Sequence, residues 1–90
     1  MSQIRWRRSP QALSRRVGAV WLVTTPTDPE VHELLGGAAL VWERLAEPRS
    51  VGELVAELAP SAASTEDLLD QVAGCVGDLR TIGVVAEVQV

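Results

Sequence analysis

Hydrophobic and polar positions alternate with period two through the first third of the chain, then switch to a helical period. Ile4 and Trp6 alternate with Arg5 and Arg7, the pattern of a half-buried strand. Residues 12–17 are the next strand candidate. Gly18 allows a tight turn, because a residue without Cβ can take φ > 0. Residues 19–24 are rich in β-branched and aromatic side chains and complete a hairpin. Thr25, Pro26, Thr27, Asp28 and Pro29 read as turn chemistry. Residues 30–34 alternate again, with Val31 and Glu33 on one face and His32 and Leu34 on the other. The pattern predicts a three-stranded meander whose first and third strands lie at the edges.

Beyond Gly36 and Gly37 the spacing becomes helical. Leu40, Val41, Trp42 and Leu45 predict a first helix, with Glu43 and Arg44 outward and Pro48 as its stop. Ser50 and Glu53 form a capping box at the start of a short second helix. That helix turns Val51, Leu54, Val55 and Leu58 inward and stops at Pro60. Ser64, with Asp67 three residues on, predicts the start of a third helix. Its stripe is Leu68, Val72, Cys75 or Val76, and Leu79, with Glu66, Asp67 and Asp70 in its first two turns. Gly83 is the C′ candidate. Gly74 and Gly77 weaken the helix, which predicts close packing against their face. Residues 84–90 read as a final strand or extended tail. The whole is α+β, a three-stranded antiparallel sheet followed by three helices, in a winged helix-turn-helix-like arrangement.

Ninety residues make one domain, divided here into a basic arm at 1–11 and a body at 12–90. Phe and Tyr are absent, so Trp6, Trp21 and Trp42 carry the aromatic mass. The net charge of −4 is unevenly spread. Residues 1–16 carry five arginines and no acid, and residues 17–90 carry three arginines and all twelve acids. Cys75 is the lone cysteine, so no internal disulfide forms. No apolar run is long enough to span a membrane, and the N-terminus lacks the hydrophobic core of a signal peptide. A reduced cytoplasmic setting is expected.

Nothing marks a catalyst. His32 and Cys75 are single and distant in sequence, too few for a metal centre and unpaired as nucleophile and base. Gly36 and Gly37 lack the Lys-Ser/Thr that follows the glycines of a phosphate loop. No cofactor, metal or enzymatic activity is expected. Duplex DNA is the obvious partner for a helix-turn-helix shape, but Glu66, Asp67, Asp70 and Asp78 against Arg80 oppose phosphate contact by the third helix. Peptide binding fits better. The strand at 30–34 offers an unpaired edge that an extended peptide can complete, with the third helix as the other wall of a groove. Self-pairing of that edge in a homodimer is the remaining alternative.

Three segments together carry a family resemblance. Val31-His32-Glu33-Leu34 with Gly36-Gly37-Ala38-Ala39 and Val41-Trp42-Glu43-Arg44-Leu45 is the first. Glu47-Pro48-Arg49-Ser50-Val51-Gly52-Glu53-Leu54-Val55 is the second, and Leu79-Arg80-Thr81-Ile82-Gly83-Val84-Val85 the third. Their order and spacing resemble the PqqD-like proteins, also called RiPP precursor peptide recognition elements, over residues 12–86. The resemblance implies a non-catalytic peptide chaperone. The leader of a ribosomally made precursor peptide adds as a fourth strand, and a radical SAM enzyme or leader peptidase then acts on the core segment. Carried over by position, the pairing strand is Glu30, Val31, His32, Glu33 and Leu34. The facing wall comes from Asp67, Leu68, Gln71, Val72 and Cys75. Leu35-Gly36-Gly37 replaces the Asn or Ser that often precedes the first helix in this family, which implies a looser helix start.

Overall fold

The computed structural model describes residues 4–61 and 66–89. Four strands come first: β1 (Ile4–Arg8), β2 (Leu13–Val17), β3 (Val20–Thr25) and β4 (Asp28–Leu34). Three helices follow: α1 (Gly37–Arg44), α2 (Val51–Leu58), extended by a 3-10 turn over Ala59–Ser61, and α3 (Leu68–Thr81). Strand β5 (Val85–Gln89) closes the chain. The expected order of three strands and then three helices is therefore incomplete. Ile4–Arg8 and Val85–Gln89 form a second sheet of their own, antiparallel, with Ile4 opposite Gln89 and Arg8 opposite Val85.

The three-stranded sheet runs β2-β3-β4, all antiparallel, with β2 and β4 at its edges as the pattern predicts. Val17 pairs with Val20 across a two-residue loop, and Gly18 takes φ +63° at its first position. A primed turn requires such a residue there. The second loop is shorter than the sequence suggests. Strand β3 runs to Thr25 and β4 starts at Asp28, so only Pro26 and Thr27 remain between them. Pro29 is tolerated inside β4 because an edge strand leaves one row of donors without a ladder partner.

The core is apolar and continuous. Val23 and Leu34 from the sheet meet Val41, Trp42 and Leu45 of the α1 region, Leu54 and Leu58 of α2, and Leu68, Val72, Val76 and Leu79 of α3. Val84 and Val85 complete it. The cap of α2 has both bonds of the expected box: Glu53 N–H donates to Ser50 Oγ at 3.1 Å, and Ser50 N–H donates to Glu53 Oε1 at 2.9 Å. Helix α1 starts at Gly37 without a side-chain cap, as the Leu35-Gly36-Gly37 departure implies. Helix α3 begins at Leu68, later than expected. Asp67 makes no side-chain cap bond there, Asp70 is the acid in the first turn, and Ser64 lies outside the described residues. At its far end Gly83 N–H donates to the Arg80 carbonyl and Val84 N–H to the Leu79 carbonyl. These are the two bonds of a Schellman motif around Gly83 at φ +83°.

Strand β1 is stitched into the body. Trp6 and Arg49 exchange backbone hydrogen bonds of 2.7 and 2.9 Å, and Ser9 N–H donates to the Val84 carbonyl at 2.8 Å. The N-terminal arginines thus border the segment that leads into α2. Arg5 pairs with Glu53 at 3.3 Å.

Candidate functional site

A groove of about 870 Å³ opens between β4 and α3. One wall is His32, Glu33 and Leu34 of β4, continued by Gly37, Ala38, Leu40 and Val41 of α1. The other is α3 together with Ile82, and Leu58 of α2 lies between them. Helix α3 serves two surfaces at once. Leu68, Val72, Val76 and Leu79 are buried in the core. The adjoining row of Gln71, Gly74, Cys75, Asp78 and Ile82, spaced three and four residues apart, lines the opening.

Gly74 and Gly77 correct an expectation. Among the described residues no element packs closely against them, and a Cβ added at either would meet no atom of those residues within 4 Å. Gly74 lines the groove, so its missing side chain leaves width there. Cys75 is half-buried beside it. Burial pushes its thiol pKa up, and the charge of Asp78 adds to the shift.

The groove reaches the outer edge of β4, which among the described residues pairs only with β3. The ladder slips between Val23 and Thr25, and Thr24 fills the irregularity. Its hydroxyl lies 3.0 Å from the Asp28 carbonyl and 3.2 Å from that of Glu30, in position to donate to both. With the Glu30 carbonyl turned toward β3, strand alternation turns the backbone groups of Val31 and Glu33 toward the open side.

Of the ten residues expected at the site, seven line this groove: His32, Glu33, Leu34, Leu68, Gln71, Val72 and Cys75. Three do not. Val31 is 56% exposed and borders a shallow dent beside Leu13, Leu22 and Thr24. Glu30 is exposed, and its N–H donates to Asp28 Oδ1 at 3.0 Å. Asp67 is exposed at the start of α3. Sequence reasoning missed Leu40, Asp70, Gly74, Asp78 and Ile82. The signal for most of them was a second row on α3, one step around from the apolar stripe.

Asp28, Glu30 and His32 occupy alternate positions of β4, and each offers a metal-ligand atom within 4.8 Å of the others. Only the strand geometry shows this, because the three residues stand two apart and share one face of β4. Two of the three side chains already bond to each other. His32 Nε2 lies 3.4 Å from Asp28 Oδ2. The Asp28 carboxyl is held below the usual carboxylate range, first by the N–H of Glu30 and then by His32. Three half-exposed or exposed donors, two of them already bonded to each other, fall short of a closed four-ligand zinc site.

No helix among the described residues is long and apolar enough to cross a membrane. No curated protein and no solved structure matches the chain. One family model does, that of coenzyme PQQ synthesis protein D (PqqD), over residues 21–85. This match runs from β3 to the start of β5 and includes both walls of the groove, so the chain belongs to the PqqD family.

Proposed function

We propose that this protein is a peptide chaperone that takes the leader of a ribosomally synthesised precursor as a fourth strand on β4 and presents the peptide to a modifying enzyme. The observation that carries this reading is the groove, an open strand edge facing a helix across an apolar floor. An added strand would satisfy the unpaired N–H and C=O groups of β4 while its alternate side chains enter the groove. Family membership supports the same reading and points to a partner enzyme of the radical SAM or leader-peptidase kind. The chain itself contributes binding and orientation. The order of strands, helices and a closing strand departs from the expected winged-helix arrangement, and α3 brings Asp70 and Asp78 where a DNA reader needs cations.

The test is a titration of this protein into the fluorescently labelled leader of a short peptide encoded beside its gene, followed by anisotropy. Saturable binding at or below about 10 μM supports the reading. A folded protein that leaves the leader free overturns it.

A further inference from the structure

We infer that the segment docking in this groove is cationic: an extended stretch in which an apolar residue is flanked, two positions away on each side, by Lys or Arg. This rests on the peptide-docking reading above and adds the chemistry of the docked segment.

Charge carries the argument. Asp70 and Asp78 line the groove from α3, and no Arg lines it. Six of the eight arginines are engaged elsewhere, and Arg7 and Arg15 also lie outside the groove lining. Arg5, Arg16, Arg44, Arg49 and Arg80 pair with glutamates outside the groove, and Arg8 is bonded to the carbonyl of Trp42. These two acids have no ion-pair partner among the described residues. They stand over an apolar floor, where the local dielectric is lower than in water and an incoming cation is attracted more strongly. The charge of Asp78 is already felt inside the groove, at the thiol of Cys75.

Spacing sharpens the inference. Asp70, Gly74 and Asp78 form one row on α3 at intervals of four, with the two acids about 12 Å apart along the axis. Four residues of extended strand cover about 13 Å. A strand lying along α3 therefore brings side chains at i and i+4 to the two carboxylates. Its residue at i+2 falls opposite Gly74, where the absent side chain leaves room for an apolar group. Lys and Arg suit the outer positions because their aliphatic stems can lie on the floor while their charges reach the rim.

The experiment is selection of random twelve-residue peptides, displayed on phage, against the immobilised full chain and three variants. The variants are Asp70→Asn with Asp78→Asn, Gly77→Ala as a control, and Gly74→Leu to plug the groove. All substituted positions are exposed or open, and circular dichroism checks each fold. The expected result is enrichment of Lys or Arg four residues apart around an apolar residue. Such peptides should bind the double Asn variant roughly tenfold more weakly. Peptides with no excess of Lys or Arg, or peptides indifferent to the Asn substitutions, overturn the charge inference but leave groove docking standing if Gly74→Leu abolishes capture. Capture unaffected by Gly74→Leu, or no capture at all, overturns both.

Discussion

The guanidinium of Arg8 stacks on the ring of Trp42, 4.6 Å from its centroid, and donates through Nε and Nη2 to the carbonyl oxygen of that same residue at 3.0 and 2.7 Å. One side chain thereby fixes β1 to the last turn of α1, where the Trp42 carbonyl also accepts from the Leu45 N–H and the helix dipole favours a cation. The ring of Trp21 lies on another side at 5.3 Å. Burial lowers the pKa of Arg8 from its ordinary value, and Glu43 opposes that shift. Replacement by Ala should lower the unfolding free energy by about 2 kcal/mol, the sum of charge-assisted bonds and ring contact. Lys, without the planar fork, should recover less than half of it. Urea denaturation followed by Trp fluorescence measures both.

Two glycines on one helix separate binding from stability. Gly74→Leu and Gly77→Ala should each raise stability by up to about 1 kcal/mol, because glycine is a poor helix former and neither site is crowded. Only Gly74→Leu should abolish leader binding, since it fills the groove. Equal binding by the two variants in the anisotropy assay would place the peptide elsewhere.

On β4, proline distinguishes the two sides of a strand. Val31→Pro removes an N–H aimed at the open edge and should weaken leader binding roughly tenfold while helical circular dichroism is retained. His32→Pro acts on the ladder position opposite Val23 and should destabilise the sheet itself. If Val31→Pro binds the leader as well as the parent protein does, the edge of β4 is not the docking strand.

The α2 cap predicts an acid-sensitive element. Ser50→Ala should cost about 1 kcal/mol. The Glu53 carboxyl is held below its ordinary range, first by the N–H of Ser50 and further by Arg5. A lowered folded-state pKa means that the contribution is fully present above the unfolded Glu range and is lost as pH falls through the folded value. Denaturation at pH 7 and pH 3 should therefore show a gap between the parent protein and Glu53→Gln that narrows at the lower pH.

Cys75 is a built-in reporter. Its raised thiol pKa and partial burial predict slow alkylation by iodoacetamide at neutral pH, slower than for a free thiol. A docked leader should slow it further. Once a bulky maleimide is attached, leader binding should be lost, because the thiol lines the groove. Mass spectrometry of timed samples reads the first two rates, and anisotropy the third.

Features fixed by neighbouring residues could be read from the chain. The cap at Ser50 and Glu53, the turn at Gly18, the helix stop at Gly83 and the alternation of His32 and Leu34 each depend on contacts a few residues apart. Features fixed by distant partners could not. The alternation of Ile4 and Trp6 marks a strand, yet nothing in it names Gln89 and Glu87 as the opposite residues. For the candidate site, Leu68 and Val72 were visible as an apolar stripe. Asp70, Gly74 and Asp78 were not, because only the position of α3 against β4 shows which neighbouring row faces an opening. Gly74 and Gly77 were misread for the same reason: a glycine reports that a side chain is unwelcome or unneeded, and packing alone says which.

The pairing of Ile4 with Gln89 has a mechanical meaning. Paired backbones in an antiparallel ladder sit about 5 Å apart, so the polypeptide enters and leaves this fold through a single doorway. A loop of a host protein could accept the whole unit as an insert without being stretched. A force applied at the two ends would peel β1 from β5 rung by rung, starting at Ile4, instead of shearing every rung at once.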